Sequence, residues 1–348
     1  MKIAVYTIAK DEEQFVERWY ESAKDADYLL IADTGSSDAT VAKAKALGIN
    51  VIDITVSPWR FDMARNASLA AIPADIDYCI ALDMDEVLVA GWREQLEKAT
   101  ATRPRYEYTW SWKEDNTPGL VYGGDKIHKR HGYRWKHPVH EILVNYNIEE
   151  TQEWLKLNIE HHPDSTKSRS QYLPLLETAV AEDPTGDRNL YYLGREYYFN
   201  GRLKEAAEKF KEYSKYAIWA PEIAASKIYL AECEPENAEE HLKSAVETSK
   251  RRESLVALSK HYYKKEDWAK CGFFALEALK ITEKPLDYLC EGWAWGEQPY
   301  DFAAISYYNL GEYELAYEYG KKAIEINPND ERLQNNLRFY QEKINGNT

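Results

Sequence analysis

The sequence predicts two domains of different fold class: an α/β domain with a mostly parallel sheet over residues 1–165, and an all-α repeat domain over residues 166–348. In the first part, short apolar runs alternate with helical patterns, as expected of a parallel sheet covered by helices. In the second part, strand patterns disappear and helical segments recur at nearly regular spacing. A length of 348 residues also accommodates about two domains.

The elements of the α/β domain alternate between strand and helix along the chain. Strands are predicted at 2–8, 28–33, 51–55 and 78–82, and helices at 12–24 and 38–47. The strand runs are continuously apolar, which indicates that both faces of the sheet are covered. Gly48 marks the end of the second helix, because glycine readily adopts the left-handed conformation that ends helices.

The composition is that of a folded protein, with 44% hydrophobic and 30% charged residues. A formal net charge of −15 disfavours nucleic acid as a partner. No apolar run approaches the ~20 residues of a membrane span, and the apolar segment at 1–9 is too short for a signal peptide. The four cysteines form no C-x-x-C pair, so neither a zinc site nor a disulfide framework is indicated. We therefore expect a cytoplasmic protein without a membrane span.

Helical pairs in the second half can be aligned by their small and aromatic residues. Taking Gly201, Cys233, Glu266 and Gly311 as equivalent gives spacings of 32, 33 and 45 residues. This pattern resembles the tetratricopeptide repeat (TPR), a helix-turn-helix unit of 34 residues. The resemblance implies stacked helical pairs with a concave groove, and the longest spacing leaves room for an insertion at 286–299. A generic helical bundle is the alternative, and it would offer no such groove.

Two carboxylates separated by one residue, Asp83 and Asp85, directly follow the fourth predicted strand. Ligands of open α/β sheets bind outside the carboxyl ends of the strands. Carboxylate oxygens there suit a hard divalent cation such as Mg²⁺ or Mn²⁺, which could neutralise a diphosphate. Asp-rich loops are also common on acidic surfaces, so the tripeptide alone is a weak signal.

A second polar segment, Asp33-Thr34-Gly35-Ser36-Ser37-Asp38, follows the second predicted strand. Gly35 permits a tight turn and Asp38 can cap the next helix, so both have structural explanations. Asp33 lies at the strand end, where it could hydrogen-bond a nucleoside.

These segments belong to a set of four that occur in a fixed order, namely Ile8-Ala9-Lys10-Asp11-Glu12, Asp33-Thr34-Gly35-Ser36-Ser37-Asp38, Ala64-Arg65-Asn66 and Asp83-Met84-Asp85-Glu86. The set resembles the family 2 nucleotide-sugar glycosyltransferases of the Rossmann-like GT-A fold. This resemblance covers residues 1–165. The resemblance implies a nucleotide-sugar donor, with a UDP-sugar preferred, lying across the strand ends. The donor-binding residues that it implies are Thr7, Ala9, Glu12, Asp33, Arg65, Asp83 and Met84.

The sequence departs from this family at two positions, which leaves the nucleobase open. Asp11 stands where close relatives usually carry Asn, and Thr34 where many carry a second Asp. The turn after the first strand also has no glycine, so neither a dinucleotide-binding nor a P-loop motif is present there. NAD enzymes and P-loop NTPases are therefore disfavoured, and a metal on Asp83 and Asp85 would neutralise the diphosphate instead.

Residues 126–140 are rich in histidine and basic residues and contain no acidic residue. This stretch could attract an anionic ligand, or it could be a solvated basic loop. Glu141 follows as the first carboxylate, and the resemblance implies that it is the general base. A base is needed because the acceptor hydroxyl or thiol loses its proton as it attacks the anomeric carbon. A surface charge or a salt bridge to the basic stretch is the alternative role of Glu141.

His161 and His162 follow another apolar run at 155–159. Members of the GT-A fold often carry a histidine after the last strand that completes the metal site, and His161 matches that placement better than His162. The resemblance therefore implies a metal site formed by Asp83, Asp85 and His161, with coordination positions left for the diphosphate.

The resemblance thus implies a Mn²⁺- or Mg²⁺-dependent hexosyltransferase, and a single general base together with the resemblance implies inversion at the anomeric carbon of its donor. The acceptor would be a protein, a peptide or a glycan held partly by the repeats, which could also pair two copies of the chain. Two alternatives remain: a non-catalytic repeat scaffold with a degenerate nucleotide-binding domain, and a metal-dependent nucleotidyltransferase. The second would usually need a Gly-rich or basic triphosphate loop, which the sequence lacks.

Overall fold

The computed structural model describes residues 1–164 and 171–346. The chain forms two compact units, Met1–Glu182 and Asp183–Thr348. The domain boundary expected at 165/166 lies outside the described residues. Within the described ranges, no helix combines the length and apolarity that a membrane crossing requires.

The first unit is an α/β structure. Its strands are β1 (Ile3–Ala9), β2 (Tyr28–Asp33), β3 (Asn50–Asp53), β4 (Tyr78–Ala81), β5 (Glu86–Leu88), β6 (Arg105–Thr109), β7 (Val121–Gly124), β8 (Ile127–Lys129), β9 (Tyr133–Lys136), β10 (Ile142–Asn145) and β11 (Trp154–His161). Its helices are α1 (Val16–Ala23), α2 (Thr40–Ala46), α3 (Phe61–Ala70), α4 (Trp92–Leu96) and α5 (Tyr172–Glu182).

The main sheet has the strand order β3-β2-β1-β4-β8. Strands β1 to β4 run parallel, and β8 is antiparallel to β4. The four strands predicted from continuous apolar runs are therefore present, and the α/β class is confirmed. Because these strands are parallel, their carboxyl ends meet at one edge of the sheet, which is the edge that carries the predicted motifs.

Two smaller sheets, which the sequence did not predict, make the unit a mixed rather than a mostly parallel structure. One has the order β5-β11-β6-β7 and the other pairs β9 with β10. Strand β11 contains the predicted apolar run, and its last residue His161 pairs with Glu86 on β5. The missed strands are short, and β9 alternates buried and exposed residues within a basic stretch. Such a half-buried pattern gives a weaker signal than a continuous apolar run.

The first helix begins later than predicted because the preceding residues form part of a loop contact. Helix α1 starts at Val16, whereas the pattern indicated residue 12. The backbone N–H of Glu12 donates to Thr40 at the start of α2, and that of Glu13 donates to Asp38 in the loop after β2. The buried indole of Trp19 on α1 donates to the carbonyl of Leu82, 3.0 Å away, and so ties the helix to the sheet.

The second unit is all-helical in its described residues. It contains α6 (Asp187–Phe199), α7 (Leu203–Tyr213), α8 (Ala220–Cys233), α9 (Ala238–Thr248), α10 (Arg252–Lys264), α11 (Trp268–Leu279), α12 (Gly292–Trp295), α13 (Gln298–Asn309), α14 (Tyr313–Ile326) and α15 (Glu331–Ile344). Helices α6/α7, α8/α9, α10/α11 and α13/α14 form four successive hairpins. The short helix α12 lies in the insertion that the longest repeat spacing predicted.

Three of the four aligned turn positions adopt the same left-handed backbone. The φ angles are +74° at Gly201, +56° at Glu266 and +85° at Gly311. Cys233 differs, because it is the last residue of α8 and the turn follows over Pro235–Asn237. Small residues also allow close helix packing, since a Cβ on Gly194 would lie 2.8 Å from the ring of Phe210.

Candidate functional site

The loops after β1 and β2 are joined by hydrogen bonds at the carboxyl edge of the main sheet. The backbone N–H of Asp11 donates to Ser36 Oγ at 2.9 Å, and Asp11 Oδ1 accepts from the backbone N–H of Ser37 at 2.7 Å. Asp38 accepts from the backbone N–H of Thr40 at 2.9 Å. It does not occupy the capping position of α2, because the helix starts at Thr40 and Ala39 precedes it. The two loops therefore form one rigid rim.

Asp33 is engaged within this rim. Its Oδ2 atom accepts backbone N–H groups from Gly35 and Ser36 at 3.0 Å, and its Oδ1 accepts from Ser36 Oγ at 2.5 Å. The residue is only 4% exposed. Asp33 therefore shapes the turn in this structure.

Several of the expected donor-binding residues lie in the framework beneath the edge. Thr7 and Ala9 are buried in β1, and the carbonyl of Thr7 accepts from Ser68 Oγ on α3. The side chain of Met84 is 2% exposed and belongs to the hydrophobic core. Glu12 is half-buried in the joined loops.

Arg65 links two of the expected functional carboxylates. It lies on α3, is 5% exposed, and stacks on the ring of Trp135 at 5.0 Å. Its Nη2 donates to Asp83 Oδ1 at 2.7 Å, and its Nε donates to Glu141. The salt bridge foreseen as the alternative role of Glu141 therefore exists, but it is made to Arg65 and not to the basic stretch.

Lys126 holds Asp83 from the other side, a contact that sequence reasoning missed. Its Nζ lies 2.7 Å from Asp83 Oδ2 and 2.9 Å from Oε1 of Glu86. Glu86 is 1% exposed and also accepts from the hydroxyl of Tyr108 at 2.5 Å. Burial opposes the charged state of Lys126, but Asp83 and Glu86 outweigh it and raise the pKa of the amine well above its usual value.

The same cations affect Asp83. Burial alone would raise the pKa of this carboxyl, but the charges of Arg65 and Lys126 outweigh burial and hold the pKa below its usual value. The carboxylate is thus ionised and aligned before any ligand arrives.

Asp85 and His161 face each other. The Nδ1 of His161 lies 3.0 Å from the carbonyl oxygen of Trp110, so this nitrogen donates a hydrogen bond. In the neutral ring, Nε2 then presents a lone pair, and it lies 3.3 Å from Asp85 Oδ2. Burial tends to lower the pKa of His161, but its hydrogen bonds to Asp85 and Trp110 outweigh burial and raise the pKa. Nε2 therefore donates to Asp85 when the ring is protonated, and a bound divalent cation would take the place of that proton.

The Asp85–His161 pair fits a divalent cation. Metal-binding histidines characteristically donate their second N–H to a carbonyl or carboxylate, as His161 does to Trp110. Adjacent ligands at about 2.1 Å from an octahedral ion are about 3 Å apart, close to the 3.3 Å observed. The side chain of Asp85 is 29% exposed, so the position is accessible.

Asp83, the third ligand expected for the metal site, does not join the Asp85–His161 pair. Within residues 1–164 and 171–346, no group of three or more His, Cys, Asp or Glu side chains is arranged to hold a metal. Asp83 is directed toward Arg65 and Lys126. His162 is separate as well, because it stacks on Trp112 and contacts Glu160 at 3.2 Å.

Three residues of the basic stretch at 126–140 have structural roles. Arg130 donates to the carbonyls of Ile72 and Pro73, and Lys129 lies 3.7 Å above the ring of Tyr78. His128 is fully buried. Neither expectation for this stretch, a ligand-attracting surface or a solvated loop, describes these three residues.

A turn with unusual backbone angles precedes Glu141. His137 and His140 have φ angles of +84° and +48°, which are uncommon for residues with a side chain. The carbonyl of Pro138 between them accepts from the backbone N–H of Phe61 at the start of α3. This contact fixes Glu141 against the helix that carries Arg65.

No protein-family model matches the chain. The chain is 30% identical to a TPR repeat-containing protein of Synechococcus elongatus over 151 residues. The matched segment covers 41% of this chain and 35% of that protein. Over 108 residues it is 31% identical to an uncharacterized glycosyltransferase of Rickettsia bellii, covering 31% of this chain and 35% of the relative. An uncharacterized glycosyltransferase of Rickettsia typhi is 32% identical over 108 residues, and the matched segment covers 31% of this chain and 36% of that protein.

The chain therefore spans about a third of the length of the curated relatives it matches. Among solved structures, MamA is similar at 17% identity and a TM-score of 0.37, covering 45% of this chain and 86% of that one. YrrB, described as a TPR protein with an unusual peptide-binding site, is similar at 18% identity and a TM-score of 0.37, covering 49% and 82%. The sequence matches support a TPR domain and link the chain, over a third of its length, to glycosyltransferase-named proteins.

Proposed function

We propose that the protein is a metal-dependent glycosyltransferase of the GT-A type, which uses a nucleotide-diphosphate sugar. The observation that carries this proposal is the Asp85–His161 pair, in which Nε2 of His161 lies 3.3 Å from Oδ2 of Asp85, just after the carboxyl end of β4. The two glycosyltransferase-named relatives support the same class. A UDP-sugar is the donor that we test first.

Asp85 and His161 would hold Mn²⁺ or Mg²⁺, while Asp83 would face the ribose and the diphosphate. The ion, when bound, would supply Lewis-acid stabilisation of the leaving diphosphate, a contribution of several kcal/mol. The rim formed by the loops after β1 and β2 would bind the nucleoside, with Asp33 beside the base or ribose. Because these groups are held by hydrogen bonds before the ligand arrives, little ordering is needed on binding.

Glu141 is our candidate for the general base. Its side chain is 11% exposed and is held by Arg65, which also holds Asp83. One guanidinium therefore fixes the base relative to the donor-binding carboxylate. Glu141 would take the proton of the acceptor as the acceptor attacks, and a single base of this kind is consistent with inversion at the anomeric carbon.

The acceptor is proposed to be a protein, a peptide or a glycan that contacts the helical repeats. The hairpins of the second unit carry exposed aromatic side chains, among them Phe199 at 65% and Phe273 at 57%. Such rings suit both peptide and sugar surfaces. Pairing of two copies through the repeats remains a further proposal, which a measurement of molar mass in solution would test.

The proposal is tested by thermal unfolding with UDP and Mn²⁺, added separately and together. A ligand at 100 times its dissociation constant stabilises the folded state by about 2.7 kcal/mol. We expect a joint stabilisation that exceeds the separate ones, and we expect Asp85→Asn to remove this excess. Asp25→Asn is the matched control, because Asp25 is an exposed aspartate on the loop before β2.

The outcome also separates the proposal from a scaffold role. If no nucleoside diphosphate stabilises the protein in the presence of Mn²⁺, the repeats alone would be the functional part. If UDP binds but Asp85→Asn binds UDP and Mn²⁺ as the native protein does, the metal site is elsewhere. A panel of nucleotide sugars, assayed for nucleotide release, then identifies the donor.

A further inference from the structure

The proposed reaction leaves a negative charge for the protein to stabilise. In a nucleotide sugar, each phosphate of the diphosphate carries one negative charge, and departure from the sugar adds a third. A divalent cation held by Asp85 and His161 would offset two of these charges. The turn after β1 contains no glycine, so a Gly-rich loop of backbone N–H groups is not available there. A hydrogen-bond donor of the protein near Asp83 would add to the stabilisation of that charge.

Two cations contact Asp83, and they differ in what they can still bind. Arg65 is 5% exposed, and its Nη1 is buried without a hydrogen-bond partner among the described residues. Lys126 is more accessible, with a side-chain exposure of 26%. An ammonium group has three N–H donors, and Asp83 and Glu86 take two of them. The third is left for a ligand.

The surroundings of Lys126 fix its position. Glu86 is anchored twice, because it accepts from Tyr108 and its Oε2 accepts from the backbone N–H of Asp83 at 2.8 Å. The lysine is thus aligned by a buried carboxylate beneath it and by Asp83 beside it. A flexible side chain held in this way loses little further freedom when it binds an oxyanion.

We propose that Lys126 is the protein cation that contacts the diphosphate of the donor, donating its third N–H to a phosphate oxygen while Glu86 and Asp83 hold it in place. This inference rests on the proposed function and adds a phosphate-binding residue to it. It also explains why one cation of the basic stretch points to the site, whereas Lys129 and Arg130 are used for packing.

The test compares the binding of nucleoside diphosphates with that of their nucleosides by calorimetry. Each diphosphate is compared with its own nucleoside in the presence of Mn²⁺: UDP with uridine, GDP with guanosine, CDP with cytidine and ADP with adenosine. A hydrogen bond to a charged group contributes about 1.5–3 kcal/mol, which corresponds to roughly 10–100-fold in affinity. We expect Lys126→Met to weaken the diphosphate by at least about tenfold and to leave the nucleoside unchanged. Lys126→Arg should restore part of the loss.

Two variants serve as controls. Lys129→Met removes a cation three residues away that lies over the ring of Tyr78, and it should bind as the native protein does. Arg18→Met removes an exposed cation of α1 that is close enough to Asp85 to be affected by the charge of that carboxylate. If the diphosphate preference is lost in Arg18→Met and kept in Lys126→Met, the assignment to Lys126 is wrong.

The failure of this inference is distinguishable from failure of the proposed function. If the native protein binds no diphosphate more tightly than its nucleoside, both the proposed function and the role of Lys126 are wrong. If the native protein does prefer a diphosphate, and Lys126→Met weakens the binding of diphosphate and nucleoside equally or of neither, only the role assigned to Lys126 is wrong. Should Lys126→Met not fold, Lys126→Gln decides in its place: it must weaken UDP by at least about tenfold and leave uridine unchanged, and an equal effect on both ligands, or on neither, would overturn the inference.

Discussion

The fully buried His128 makes the stability of the first unit depend on pH. Its Nδ1 donates to the carbonyl of Lys129 at 2.7 Å. Its Nε2 lies 3.1 Å from the hydroxyl of Tyr6, which itself accepts from the indole of Trp135 at 2.8 Å. The neutral ring satisfies every member of this chain. Burial lowers the pKa of His128 from 6.5 to about 4, because a charge there would be removed from water.

The pKa difference sets the size and sign of the effect. A group whose pKa is lower in the folded state contributes stability above its unfolded pKa, and that contribution is lost as the pH falls toward the folded pKa. Each pKa unit corresponds to about 1.4 kcal/mol. A fall from 6.5 to about 4 therefore costs the folded state about 3 kcal/mol between pH 7 and pH 4.

The assay compares the native protein with His128→Gln, in which the titrating group is absent. Urea unfolding is measured at both pH values by hydrogen exchange and mass spectrometry of peptides from β1 and β4, which report on this unit. Because all other titrating groups are shared, the difference between the two proteins isolates His128. The native protein should lose about 3 kcal/mol relative to the variant at pH 4. A difference that stays the same at pH 7 and pH 4 would refute the reasoning.

Two further predictions concern the turns and the proposed base. Gly311→Ala should destabilise the second unit by about 1–2 kcal/mol in thermal unfolding, because alanine is strained at a φ of +85°. Gly292→Ala, where an added Cβ meets open space, should have little effect, and equal effects would argue against the left-handed turn. Glu141→Gln should keep donor binding but lower transfer by about 10²–10⁴-fold; an equal loss of donor binding would make Glu141 a binding residue instead.

The sequence revealed much of the candidate site because its residues follow strand ends. Asp33, Asp83 and Asp85 come directly after continuous apolar runs, and parallel strands bring such positions to one edge. It did not reveal Lys126, whose contacts depend on the short connection between β7 and β8, two strands that belong to different sheets. The carbonyl of Trp110, which orients His161, was equally hidden because no side-chain pattern identifies a backbone acceptor.

By itself the sequence determined the α/β class of the first unit, its four parallel strands, and the helical hairpins of the second. These are local properties, set by apolar periodicity and by residues such as Gly201 and Gly311 that tolerate positive φ. Only the tertiary structure decided how the charges pair: Asp83 between Arg65 and Lys126, and Asp85 against His161. Residues far apart in the chain meet there, and which of them form ion pairs depends on distances of a few ångströms that no spacing in the sequence records.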